Sequence, residues 1–491
     1  MAHTTPPSPT PGKKVMLFYP PGPLYQRGED RSQGNVTDST ATAMRAANDL
    51  AYASAALKAK GFDVYCRDFQ TEGVDWATLL HSYRGYKPDV LFISITNATI
   101  FADLQTVKKL KEADPRPVVI LKGALFFDPP AEMLAQLDLT DVAYLIGGEA
   151  DFVVGELVDA HFTAPERIPR LRGILYRQDG QWQRGDFSSW EADLDQWPFP
   201  DRTVLNNSLY VRPDTGEPQA TIATSRGCPA ACIYCLTPTI SGTTVRYRSP
   251  ANILEELRLC YHDHGIRNFF FKSDTFTINR GWVAGICDAI DQSELAGNIE
   301  WVANSRVRPL AGETLQRMRR SGCWLIAFGF ESGSEETLQK IHKGASVAEN
   351  LAAARLARQA GLKLYGFYLI GLPWEDHTHL EETRKHIFAI DADFIEVHIA
   401  VPYHGTALYE MAKAEGLLDE TILGKDYFNA PTIGSRHLSN REIQAFRRRL
   451  LRAYHLRPAY IARKLAEVFK KPRIMKNYLR FGSRLLLRTL P

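Results

Sequence analysis

Three cysteines, Cys228, Cys232 and Cys235, fall within the stretch "TSRGCPAACIYCLTP" of a 491-residue chain that has only seven cysteines in all. Thiolates at a C-x3-C-x2-C spacing are soft ligands, and such ligands suit zinc or iron–sulfur clusters. A zinc site asks for a fourth Cys or His nearby, and no histidine lies between His161 and His262. Three unrelated thiols packed into a Gly-Pro loop are the plain alternative. In an iron–sulfur cluster, by contrast, three thiolates leave one iron of four without a protein ligand, and that open iron can bind a small molecule. The other cysteines, Cys66, Cys260, Cys287 and Cys323, stand alone. An odd, scattered set is no disulfide framework and fits a reducing cytoplasm.

The elements that must position the trio can be read from alternating patterns. Short apolar runs at 15–20, 62–69, 89–96, 118–124 and 142–148 are separated by amphipathic segments such as "ATAMRAANDLAYASAALKAKG". Strands separated by helices predict βαβ units in a parallel, doubly wound sheet over residues 14–165, which binds ligands beyond the carboxyl ends of its strands. A hairpin around Asp179-Gly180 and an acidic, proline-rich linker follow over 166–215. A second series, "QATIATS", "NFFFKSD", "IEWVANSR", "WLIAFGFESG", "KLYGFYLIGLP" and "DFIEVHIAVPY", predicts a partial (β/α)6 barrel over 216–415. Polar residues gather at the ends of these strands, where barrels place their chemistry. The trio lies in the loop after the first of them. Residues 1–13 read as a disordered tail and 416–491 as a basic helical extension. The expected class is α/β, with a Rossmann-like domain ahead of the barrel.

A C-x3-C-x2-C loop after the first strand of such a barrel resembles the signature of the radical S-adenosylmethionine (SAM) enzymes. The resemblance implies a [4Fe-4S] cluster on Cys228, Cys232 and Cys235, with SAM chelated to the open iron and cleaved to a 5'-deoxyadenosyl radical. It implies further SAM contacts, each with a strand-end cap or turn residue as its plain alternative. Tyr234 lies near the adenine. Ser273 and Asp274 stand in the second-strand motif, where many relatives show paired acids. Ser305 and Arg306 follow the fourth-strand pattern "ANSRVRPL". Glu331 belongs to "GFESGSEETLQKIHKG", similar to the family's fifth-strand segment, and Gly371 to the sixth-strand "YLIGLPWED".

A Rossmann-like domain joined to this barrel by "DLDQWPFPDR" resembles the cobalamin-binding radical SAM subfamily, over essentially the whole chain to about residue 415. The resemblance places cobalamin near Ser94, Thr96, Gly123, Gly147 and Gly148. Two departures stand out. The loop after the first strand, "FYPPGPLYQRGEDRSQG", has no D-x-H-x-x-G histidine, and a Lys122-Gly123 pair replaces the usual Gly-Gly after the fourth strand. A domain that binds no corrin, or binds substrate, is the alternative.

Within that subfamily the resemblance implies methylation of an unactivated carbon in a hydrophobic small molecule, a lipid or tetrapyrrole. Radical cyclisation of the anaerobic magnesium-protoporphyrin cyclase type is the competing outcome. A non-catalytic corrin- or cluster-binding carrier or sensor is the reading from another class, and it would not need SAM contacts such as Glu331. His398 and Tyr403 are candidates for the substrate cavity, with a satisfied core histidine as the alternative for the first.

The net charge of +3 and the 45% hydrophobic, 23% charged composition are those of an ordinary soluble globular protein and give no sign of nucleic-acid binding. The last 56 residues, however, hold sixteen Lys or Arg against two Glu. That patch suits an anionic membrane, an acidic electron donor such as flavodoxin or ferredoxin, or a solvated face packed on the barrel. The opening "MAHTTPPSPTPGKK" has no apolar signal region, so a cytoplasmic protein, peripheral to the membrane at most, is expected.

Overall fold

The computed structural model describes residues 12–25, 27, 44–147, 149, 153–418, 423–425, 431–479 and 482. Residues 1–11 of the expected N-terminal tail lie outside them, as does Gly148. The chain divides into two compact units, one holding the first strand, Ala47–Ala192 and Gln196–Asn206, the other running from Asn207 onward.

The first unit is a seven-stranded sheet in the order β2-β1-β3-β4-β5-β6-β7. Its strands are β1 (Lys14–Tyr19), β2 (Asp63–Asp68), β3 (Val90–Ser94), β4 (Val118–Lys122), β5 (Tyr144–Ile146), β6 (Ile174–Gln178) and β7 (Gln181–Arg184). The first five are parallel, linked through α1 (Asn48–Ala59), α2 (Trp76–Tyr86), α3 (Ile100–Ala113) and the short α4 (Ala131–Leu134), with α5 (Val153–Thr163) after β5. Every residue of β3 is buried, as a central parallel strand covered on both faces requires. The hairpin turns at Asp179-Gly180, both at positive φ, and β6 pairs antiparallel with β5, so the hairpin extends this same sheet.

The second unit is an arc of six parallel strands in the order β15-β14-β13-β12-β11-β8. They are β8 (Gln219–Ala223), β11 (Asn268–Lys272), β12 (Glu300–Ser305), β13 (Cys323–Glu331), β14 (Lys363–Ile370) and β15 (Phe394–Ile399), and a two-residue antiparallel pair, β9 (Ser225–Arg226) with β10 (Arg246–Tyr247), follows β8. The edge strands β8 and β15 are not hydrogen-bonded to each other, so the barrel is partial. Its helices are α6 (Thr237–Ser241), α7 (Pro250–His264), α8 (Arg280–Asp291), α9 (Gly312–Arg320), α10 (Glu335–Lys340), α11 (Val347–Gln359), α12 (His377–Ile390) and α13 (Ala407–Ala414). Their ends are written in the sequence. Ser249 caps α7 ahead of Pro250, Gly265 ends it in the left-handed region, and Ser346 with Glu349 forms a capping box on α11. The outer faces of the strands and the inner faces of the helices share one core, from Phe269 and Trp301 through Phe330 to Ile395.

The strand count corrects one expectation. "ANSRV" ends the third barrel strand, "GFESG" the fourth and "YLIGLP" the fifth, each one place earlier than the motif resemblance implies. The order of hydrogen-bonded strands, not motif likeness, fixes these ordinals.

Two further helices, α14 (Asn440–His455) and α15 (Pro458–Lys470), follow the barrel. Among the described residues no helix is long and apolar enough to cross a membrane.

Candidate active site

The thiol loop begins where β8 ends, and the neighbouring chain holds it on both sides. Gly227 has a φ of 88°, and a side chain there would collide with the Thr244 carbonyl, so the turn into Cys228 requires glycine. The Cys228 amide donates to the Gly242 carbonyl at 3.1 Å, the Ile233 amide to Ile341 at 3.2 Å, and the Leu408 amide to the Ile233 carbonyl at 2.9 Å. Ile233 is buried in a small cluster with Leu372 and Trp374, which pins the middle of the loop. Ser273 and Asp274, at the end of β11, turn toward this loop. The Ser273 and Ser225 hydroxyls lie 2.6 Å apart, and Asp274 accepts from the Gly227 amide at 2.9 Å.

Cys228 and Cys232 are buried and Cys235 is half-buried, and all three thiols are free. Among the described residues, no three His, Cys, Asp or Glu side chains converge as a single metal ion would require. A cluster asks for something different, because each thiolate binds its own iron. The Cys235 sulfur accepts from the Thr237 amide at 3.4 Å and lies 3.2 Å from its hydroxyl. Arg306 Nη1 donates to the Cys232 sulfur at 3.4 Å. Burial chiefly, with Cys235 and Asp274 nearby, pushes the Cys228 thiol up, while the Ala230 backbone and Arg306 work against that shift. For Arg306, burial disfavours the charge, but the Cys232 and Cys228 sulfurs more than restore it and its pKa stands above the ordinary value. Three free thiols beside a fixed guanidinium form a donor set that fits a cluster carrying net negative charge.

From Arg306 the site closes into a ring. Its second nitrogen donates to the Lys343 carbonyl. Lys343 Nζ pairs with the Glu331 carboxylate at 2.7 Å, with 6% and 13% of the two side chains exposed. Tyr234, inside the thiol loop, lies beside Glu331, and burial followed by the nearby carboxylate raises its phenol pKa. A register shift between Gly329 and Glu331 re-aims the end of β13, and Glu331 sits at a φ of 63°. Gly329 makes room for the pair, since a side chain there would press on both the Glu331 carboxylate and Lys343 Nζ. The ends of β12 and β13 are thereby tied to the cysteine loop.

Ser305 and Gly371 serve the same rim by different means. The Ser305 hydroxyl lies 2.6 Å from that of Thr277 and accepts or donates within the turn after β12, bonding also the Arg306 carbonyl at 3.0 Å. Gly371 is buried at a φ of 81° against Ile399 and Ile443. Its amide and that of Leu372 donate to Glu375 at 2.7 and 3.1 Å. Burial pushes the Glu375 carboxyl up to about 7. His398 lies on the sheet face opposite the helix-packed Ile395 and Val397, its ring stacked on Phe367 at 6.0 Å and 3.8 Å from Glu396, to which Tyr365 donates at 2.9 Å.

Sequence reasoning passed over Lys343 and Glu375. Both fall inside motifs that it quoted, but nothing in their spacing says that one neutralises Glu331 across twelve residues and the other holds the Gly-Leu-Pro turn.

In the first unit, Ser94, Thr96, Gly123 and Gly147 gather at the carboxyl ends of β3, β4 and β5. The Ile95 amide donates to the Lys122 carbonyl, and the Gly123 amide to that of Ile146. The Ser94 hydroxyl is committed to Asp49 at 2.8 Å, Tyr19 also donates to Asp49, and the wholly buried Lys122 pairs with it at 3.3 Å. Arg27, paired with the buried Asp103, donates to the Ser94 carbonyl at 2.8 Å. These cations and hydroxyls are already committed to Asp49 and Asp103, so what the carboxyl ends of the strands in a doubly wound sheet leave for a ligand here is backbone and small residues. They supply no imidazole for a metal, because residues 4 to 80 contain no histidine.

Comparison with known proteins adds four findings. Residues 222–387 match the Radical SAM superfamily. A Pyrococcus horikoshii protein named as an uncharacterized methyltransferase is 28% identical over 419 residues, 85% of this chain and 89% of its own. The anaerobic magnesium-protoporphyrin IX monomethyl ester cyclase of Cereibacter sphaeroides is 25% identical over 368 residues, 74% of this chain and 59% of that longer relative. In fold, the cobalamin-dependent SAM radical enzyme OxsB, solved with aqua-cobalamin and SAM bound, matches 95% of this chain and 72% of its own at a TM-score of 0.66 and 13% identity.

Proposed function

We propose that this chain is a radical SAM enzyme with a B12-binding-type domain ahead of the barrel, and that it methylates an unactivated carbon of a hydrophobic small molecule, with cobalamin as methyl carrier; the match of residues 222–387 to the Radical SAM superfamily and the likeness in fold to OxsB support this reading. The observation that carries the radical SAM part is the ring Cys232–Arg306–Lys343–Glu331–Tyr234, which ties the thiol loop to two strand ends. The preference for methyl transfer over cyclisation rests on a relative that matches 85% of this chain and is named an uncharacterized methyltransferase.

When bound, the cluster supplies the electron that divides SAM into methionine and a 5'-deoxyadenosyl radical, and cobalamin supplies the methyl group. Cys228, Cys232 and Cys235 would hold the cluster, and Arg306 offsets its charge from a fixed position. Glu331 is an acceptor for the hydroxyls or ammonium of SAM, and Lys343 holds that carboxylate in place. The Tyr234 ring offers an apolar face inside the loop. Gly371 and Leu372, held by Glu375, form the turn against which an adenine can rest. Ser94, Thr96, Gly123, Gly147 and Gly148 would receive the corrin. Phe367, Tyr365 and His398 give the inner face of the barrel an aromatic wall suited to an apolar substrate.

The test begins with protein expressed with cobalamin and purified without oxygen, assayed for iron, sulfide and corrin. It is then incubated with methyl-labelled SAM, a lipid extract and a low-potential reductant that supplies the electron for SAM cleavage. Methylation consumes one SAM for the radical and another for the methyl group, so label in an extracted product, with 5'-deoxyadenosine and S-adenosylhomocysteine formed together, is the expected result. 5'-Deoxyadenosine without S-adenosylhomocysteine would overturn methylation in favour of cyclisation.

A further inference from the structure

Of the eight large apolar side chains exposed among the described residues, six lie between positions 456 and 479: Leu456, Ile461, Leu465, Phe469, Met475 and Leu479. Ile461, Leu465 and Phe469 recur every four residues on α15 and so share one face. Phe469, at 84%, is the most exposed of them.

The opposite face of α15 is fixed to the barrel. Tyr460 is buried and donates to the Asp393 carbonyl at 3.1 Å, Lys464 lies 4.2 Å over the Phe394 ring, and Glu467 pairs with Lys363 at 2.8 Å. Beyond the helix, Tyr478 donates to Glu467 at 2.8 Å and Asn477 to the Asp214 carbonyl at 3.1 Å. Lys363 and Phe394 are the first residues of β14 and β15, so α15 sits at the amino ends of the strands, opposite the cysteine ring.

Charge settles what the free face can meet. From residue 443 to the last residue of the sequence, Glu467 is the only acid, and it is turned inward to Lys363. Arg452, Lys470, Lys471 and Lys476 are exposed and have no side-chain ion-pair partner among the described residues. An apolar stripe bordered by unpaired cations is complementary to a surface that is anionic at its headgroups and apolar just beneath. A second copy of the chain would bring like charges together, and a polynucleotide would leave the aliphatic side chains in water.

We propose that α15 and the segment after it, to residue 479, dock this protein on anionic lipid bilayers, with Leu465 and Phe469 inserted and the flanking lysines at the headgroups. Docking at the amino ends of the strands makes this a tether that leaves the cysteine end of the barrel facing away from the lipid. It holds whatever the substrate proves to be.

The test is sedimentation of the full chain with vesicles of phosphatidylcholine containing about 30% phosphatidylserine, against phosphatidylcholine alone. Binding to the anionic vesicles is expected to be at least about tenfold stronger and to fall steeply at about 0.5 M salt. The double variant Leu465→Glu, Phe469→Glu should lose it while melting temperature and SAM cleavage stay unchanged, since neither side chain packs in the core. Equal binding to both vesicles, full binding by the variant, or no binding by the native chain overturns the proposal. So does self-association that the variant abolishes, or retention on a polynucleotide in place of vesicles.

Discussion

Glu331 ends β13 in a left-handed conformation, paired with Lys343 across a gap that only Gly329 leaves open. An isosteric Glu331→Gln change keeps the shape and removes the charge. Losing one charge-assisted contact should weaken SAM binding about tenfold or more, with iron and sulfide content unchanged, as equilibrium binding and iron assays would show. Loss of the cluster in that variant would instead make Glu331 a support of the thiol loop. Glu375 is the second residue whose charge matters. Its carboxyl is wholly buried and pushed up to about 7 from an ordinary 4.5. Between these values the unfolded chain ionises while the folded chain keeps its proton, so folding stability falls as pH rises from about 4.5 to 7 and levels above that. Glu375→Gln should flatten this part of the profile and raise the melting temperature at pH 8 relative to native protein. A native profile unchanged by the substitution would show that the carboxyl is ionised in the fold.

At the scale of elements, one buried ion pair, Asp49 with Lys122, each 1% exposed, joins α1 to β4, and the Ser94 hydroxyl ties β3 to the same carboxylate. Lys122→Met leaves Asp49 as an uncompensated charge that Tyr19 and Ser94 alone must satisfy. The expected cost is about 3–5 kcal/mol, seen as a lower denaturation midpoint of the first unit, and adding Asp49→Asn should recover a large part of it. Additive losses would mean that the two groups do not interact. The central strands β1, β3 and β4 were legible as continuous apolar runs, because a parallel strand buried on both faces leaves little choice of residue, whereas barrel strands such as β12 and β14 alternate buried with half-buried positions. Two matters were not legible. The hairpin's attachment to β5 is a pairing between distant segments, and the place of each motif in the barrel depends on which strands are neighbours. "GFESG" therefore reads as a fifth strand by likeness and is the fourth by topology.

At the scale of the whole molecule, the thiol loop packs in the second unit, so the cluster proposed for it does not share the core of the first. Cys232→Ala should abolish the cluster and all 5'-deoxyadenosine formation while the proteolytic fragment pattern of the first unit stays native. Retained SAM cleavage in that variant would sink the radical SAM reading. The sequence by itself determined the chemistry-bearing trio, the alternation of strands and helices, and the cationic bias of the last 56 residues, because ligand type, period and charge are local properties of a chain. Only the tertiary structure decided that Lys343 answers Glu331, that Asp274 and Ser273 brace the thiol loop, and that the lone acid of α15 turns inward and leaves an apolar, cationic face outside. Those are meetings of residues remote in sequence, and packing alone brings them together.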